Sequence, residues 1–91
     1  MNTLTDADDT HAELVKIAIL MIRRWKRDIA RTIARGKQEN EICSNVDENK
    51  IADLMISLIE GGSMLTKSTG QESFIKNAID HVECLIEGIK A

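Results

Sequence analysis

The sequence predicts an all-α fold in which one long helix is followed by an antiparallel helical hairpin. There is no proline among the 91 residues, where an average chain of this length holds roughly four or five. Aromatics are confined to Trp25 and Phe74, so the apolar content is mostly Ile, Leu, Ala and Met, which suit packed helices. Apolar residues recur in three runs at steps of three and four, the spacing of a single helix face. The turn-punctuated, β-rich segments that a sandwich or barrel needs do not occur.

Size and composition bound the rest. Ninety-one residues make one domain, read here as residues 11–91 behind a polar lead-in at 1–10. So short a chain leaves much of its apolar surface poorly covered. With 43% hydrophobic residues it is not a disordered tail. Two cysteines, Cys43 and Cys84, are too few for a disulfide scaffold. Met1–Thr10 is polar and acidic, unlike a signal peptide. The longest apolar stretch, Leu14–Ile22, contains Lys16 and is about half the length that spans a bilayer. No membrane association and a cytoplasmic location are therefore expected. The net charge of −3 hides a split: residues 1–37 carry eight basic and five acidic residues, and residues 38–91 carry four and ten. The acidic half is a poor surface for nucleic acid.

The first helix is expected over about residues 11–39. Thr10-His11-Ala12-Glu13 fits a capping box, with hydroxyl and carboxylate satisfying orphan amides at a helix start. Nothing breaks the pattern before Gly36, giving a helix on the order of 40 Å long. Its stripe is Ala18, Ile22, Trp25, Ile29 and Ile33. Leu14–Ile22 is apolar around nearly its whole circumference, and such a helix needs cover on every side. Glu41–Val46 reads as a loop, with Asn45 and Asp47 as candidate caps. The second helix, about 47–67, carries Ile51, Leu54, Leu58, Gly61 and Leu65 at heptad-like spacing, widened by Met55, Ile59 and Gly62. Ser68-Thr69-Gly70 makes a turn. The third helix, about 72–89, repeats the seam at Ile75, Ala78, Val82, Leu85 and Ile89, with Ile79 and Ile86 alongside. A turn this short predicts an antiparallel pair.

One family orders its residues similarly. Ile51-Ala52-Asp53-Leu54-Met55-Ile56-Ser57-Leu58-Ile59-Glu60-Gly61-Gly62-Ser63-Met64-Leu65 leads through Lys67-Ser68-Thr69-Gly70 into a helix holding Ala78-Ile79-Asp80-His81-Val82-Glu83-Cys84-Leu85. Upstream, a long basic helix with Trp25 runs into Gly36-Lys37-Gln38-Glu39-Asn40-Glu41-Ile42. The chain from Leu14 to Ile89 resembles the C-terminal dimerisation and effector-sensing half of TetR-family transcriptional regulators. The resemblance implies a homodimer in which the last two helices pair with their copies as a four-helix bundle. It also implies a small apolar effector and no enzyme activity. Complete regulators of this family are about twice as long and begin with a DNA-reading helix-turn-helix, which residues 1–10 cannot form. Direct DNA binding is thus not expected from this chain alone. Two other readings stand beside this one: a stand-alone interaction module or antagonist forming mixed dimers, and a basic-helix nucleic-acid binder.

The interface expected from the seam comprises Leu54, Leu58, Gly61, Gly62, Leu65, Ala78, Val82, Leu85 and Ile86. Adjacent glycines inside a helix each cost up to about 1 kcal/mol relative to Ala, so a close backbone approach there is expected to offset them. Met21, Trp25, Ile29 and Met55 are candidate pocket residues, since methionine adapts to varied apolar ligands; plain core packing is the simpler account. Arg23, Arg24, Lys26, Arg27, Arg31, Arg35 and Lys37 could contact phosphates, but without interleaved aromatics they read first as a solvated face. His81 and Cys84 offer two metal ligands where zinc generally needs three or four, so no metal and no cofactor are expected. No Cys/His/Asp constellation suggests an activated nucleophile, and Glu83 and Glu87 are explained by solvation.

Overall fold

The computed structural model describes the backbone of residues 3–91 and the side chains from Asp9 onward. It contains three helices: α1 (Thr3–Gln38), α2 (Glu48–Thr69) and α3 (Ser73–Gly88). α2 is the middle element, packed against α1 on one flank and α3 on the other. The start of α1 differs from expectation. The polar lead-in proposed for residues 1–10 is helical from Thr3 onward, with residues 1 and 2 outside the described part. No glycine or proline interrupts this stretch. Helix propagation therefore overrides the local capping signal at Thr10.

The junctions carry most of the specific hydrogen bonding. At the end of α1, Asn40 takes the left-handed conformation (φ 61°), and the amides of Glu41 and Ile42 both donate to the Gly36 carbonyl at 2.9 and 3.2 Å. Asparagine tolerates this helix-terminating geometry. The Ile42 side chain lies against Gly36, where an added Cβ would sit 2.7 Å from its Cδ1. Asp47 then caps α2, its Oδ1 accepting from the amides of Asn49 and Lys50. Gly70 ends α2 in the left-handed region (φ 74°) and donates to the Thr66 carbonyl. α3 has no side-chain cap of its own. Its orphan Ile75 amide donates instead to the Thr66 hydroxyl on α2, at 3.1 Å.

The segment read as a loop also ties down the end of the chain. Ile42 and Lys90 form an antiparallel bridge. Cys43 N–H donates to the Ile89 carbonyl, Ala91 N–H donates to the Glu41 carbonyl, and the Cys43 thiol donates to the Lys90 carbonyl at 3.2 Å.

The core is thin. Ala30 and Ile33 of α1, Ala52 and Ile56 of α2, and Ala78 of α3 are its buried apolar residues. Small side chains at these contacts let the helices approach closely. The Cα trace spans 59 × 31 × 13 Å, and α1 and α3 each pack on α2 without packing on one another. Its radius of gyration is 17.3 Å, against about 12 Å for a compact domain of this length. The three helices therefore form a single layer with two open sides. α1 overshoots the hairpin, and every described residue of α1 from Asp9 to Trp25 is exposed.

Candidate functional site

One side of the layer holds an apolar trough of about 370 Å³. Trp25, Ile29 and Thr32 share a face of α1 by helical spacing, with Ile33 deeper and Asp28 beside them. Met55 of α2, Ile86 and Ile89 near the end of α3, and Ile42 from the loop complete the lining. Three of the four residues expected to form a pocket, Trp25, Ile29 and Met55, thus converge. Met21 does not join them. It sits one hollow further along α1 with Ala18, Ile22 and Glu60, and Trp25 borders both hollows. Ile86, expected in the intersubunit seam, lines the trough instead: it follows Leu85 by about 100° of helix rotation, which carries it to the other side of α3. Ile42 was missed because a loop has no periodicity to reveal its inward side. The trough offers apolar contact with Asp28 and Thr32 as its polar groups; the Thr32 hydroxyl already donates to the Asp28 carbonyl.

On the other side, α2 and α3 form a shallow groove lined by Ser57, Leu58, Gly61, Gly62 and Leu65 with Phe74, Asn77, Ala78 and His81. The two depressions share no lining residue. The structure separates the paired glycines. A Cβ at Gly62 would lie 2.9 Å from that of Ala78 and 3.1 Å from the Phe74 carbonyl oxygen. The close approach made by Gly62 and Ala78 is therefore within the chain, not between chains as expected. A Cβ at Gly61 would meet nothing within 4 Å. Leu54 and Leu65 on the same side are 48% and 40% exposed, while Leu58, Val82 and Leu85 are half-buried.

The basic series runs along α1 opposite the trough. Arg23, Arg27 and Arg31 border a groove floored by Ala30 and Ala34, with Lys26, Glu48 and Asn49 across it. Two of its lysines are engaged: Lys26 pairs with Asp53 at 2.8 Å, and Lys37 with Glu48 at 2.9 Å. Lys37 also donates to the Val46 carbonyl. That lysine's hydrogen bond holds the Glu48 carboxyl below the usual glutamate range, aided by a backbone hydrogen bond. His81 and Cys84 are both exposed, and no group of three or more His, Cys, Asp or Glu side chains that could hold a metal gathers among the described residues. Cys43 and Cys84 are free. No described helix is long and apolar enough to cross a membrane.

Residues 1–82 match the family described as the tetracyclin repressor-like C-terminal domain. No curated protein matches the chain. Among solved structures it is similar to a transcriptional regulator of the TetR family from Cytophaga hutchinsonii, with 35% sequence identity and a TM-score of 0.80. That similarity covers 98% of this chain and 44% of the other, so the chain spans less than half the length of that regulator.

Proposed function

This chain belongs to the tetracyclin repressor-like C-terminal domain family, and we propose that it serves as the dimerisation and small-molecule-sensing domain of a TetR-family transcriptional regulator in the cytoplasm. The family is one of regulators rather than enzymes. The observation that carries the proposal is the pair of unlike apolar sides on a layer one helix thick. The side lined by Leu54, Leu58, Gly61 and Leu65 is the interface with a second copy, joined at its margin by the half-buried Val82 and Leu85. The trough lined by Trp25, Ile29, Met55 and Ile86 receives the apolar part of an effector, and Met21 lies in the adjoining hollow that Trp25 also borders. An occupant there touches α1, α2 and α3 together. Its binding shifts α1 against the hairpin and so alters the spacing of the DNA-reading heads in the two subunits of the whole regulator. A ligand acts this way only through unequal affinity for the two arrangements.

The two sides should be separable by mutation. Trp25 is the sole tryptophan and lines the trough, so its emission reports occupancy when apolar compounds are titrated. Ile86→Glu is expected to abolish that response while light scattering still finds a dimer. Leu54→Glu is expected to leave the response and yield a monomer. A folded chain that remains monomeric at every concentration and whose emission ignores all apolar ligands contradicts the proposal.

A further inference from the structure

The two long edges of the layer carry opposite charge. Arg23, Arg27 and Arg31 lie along α1 beside the open groove on the interface side. Asp80, Glu83 and Glu87 lie along α3 on the far edge, turned away from α2. Among the described residues, the salt bridges that form take up none of these arginines and neither Asp80 nor Glu83; Glu87 pairs only with the exposed Lys90. Within one chain the two edges sit on opposite flanks of α2 and cannot meet.

Two copies stacked through the α2–α3 side can be related by a two-fold axis running along the hairpin or across it. An axis across the hairpin stacks α1 on α1 and α3 on α3, bringing like charges together. An axis along it, between α2 and α3, sets α1 of each copy beside α3 of the other. It also leaves every residue at its own height. The heights follow from three contacts: Lys26 meets Asp53 and Lys37 meets Glu48 between α1 and α2, and Gly62 meets Ala78 between α2 and α3. Counting along the antiparallel helices from these puts Arg23 between the levels of Ala78 and Cys84 and Arg27 between those of Val82 and Gly88. Both arginines therefore lie at heights that overlap the stretch from Asp80 to Glu87. A side chain as long as arginine bridges a helical turn, and the basic groove receives the acidic edge.

We propose that a second copy of this chain docks with its two-fold axis along the α2–α3 hairpin, the acidic edge of α3 in each copy seated against the arginine groove of α1 in the other. This rests on the dimer reading above and adds its orientation. Charge complementarity of this kind selects register and partner more than it adds raw affinity, and salt screens it. It operates at both edges of a symmetric interface, because an isologous contact occurs twice.

The test is a charge swap read by light scattering and native mass spectrometry. Arg23→Glu with Arg27→Glu makes both edges acidic; Asp80→Lys with Glu87→Lys makes both basic. Each double variant is expected to weaken its own dimer by about tenfold or more, since four sites change per dimer and each exposed pair contributes modestly. An equimolar mixture is expected to form mixed dimers near wild-type affinity, which also shows that both variants are folded. Wild-type dissociation is expected to rise with ionic strength. A wild-type dimer indifferent to salt and to both swaps overturns the orientation and leaves the dimer reading standing. A folded wild-type chain that is monomeric throughout overturns both.

Discussion

At Gly62 an added methyl group is pressed against backbone, 3.1 Å from the Phe74 carbonyl oxygen and 3.2 Å from the Ile75 Cα. Backbone cannot swing aside as a side-chain tip can. Gly62→Ala is therefore expected to destabilise the chain by about 1–3 kcal/mol through overpacking, measured by urea unfolding. One position earlier, the same change meets open space. Gly61→Ala should raise the stability of the dilute monomer by up to about 1 kcal/mol through helix propensity, and should weaken the dimer if a second backbone approaches there. Gly61→Leu should break that dimer altogether. A Gly61→Ala chain that is both more stable and more tightly dimeric refutes close approach at this site. The sequence makes both glycines conspicuous, but spacing alone does not assign one to the chain's own hairpin and the other to a partner. Adjacent helical residues differ by about 100° in direction, and which neighbour lies in each direction is a tertiary fact.

Among the elements, the helices were the most legible part. Apolar runs at steps of three and four located all three, and the cap at Asp47 and the left-handed Gly70 were readable from residue type. The joints between them were not. Thr66 reads as an ordinary position inside α2, yet its hydroxyl caps α3 from outside. The bridge between Ile42 and Lys90 joins segments too short and too far apart for periodicity to detect. The trough was legible in part for the same reason: its helical residues share faces, while Ile42 belongs to no face. The α1–α2 joint carries a pH consequence. Lys37 holds the Glu48 carboxyl below its ordinary range, so the ionised form is favoured by folding. That stabilisation is fully present above the ordinary glutamate pKa and is lost as pH falls through the lowered folded value. Lys37→Met should therefore lower the thermal midpoint at neutral pH, and the difference from wild type should shrink on acidification below pH ~4. A difference that stays constant through that range rules out Lys37–Glu48 as its source.

For the whole molecule, a single layer of helices has only the small core between neighbouring helices, at Ala30, Ile33, Ala52, Ile56 and Ala78. Leu14, Ile17, Leu20 and Met21 are each more than half exposed, alongside the leucines of the hairpin. Large contiguous apolar surface marks contact with something else. The all-round apolar character of Leu14–Ile22 is evident from the sequence, and every residue of that segment is exposed in the structure. Covering that surface by association would add stability, since anything that binds only the folded state stabilises it. If the dimer forms, its melting temperature should climb by about 3–5 °C for each tenfold rise in concentration. A melting temperature independent of concentration would mean that the layer is stable unpaired.

The short bridge at Ile42 has a mechanical consequence. It fastens the end of α1 to the end of the chain, so that the tips of α1 and α3 and the start of α2 meet at one anchored corner. A helix of 36 residues extends about 54 Å from such an anchor. Under the sensing role proposed above, it would act as a lever with its fulcrum at that corner and the trough partway along the arm. A tilt of about 5° at the fulcrum would sweep the opposite tip through about 5 Å over that length, so a small wedge near Trp25 would become a larger displacement at that tip.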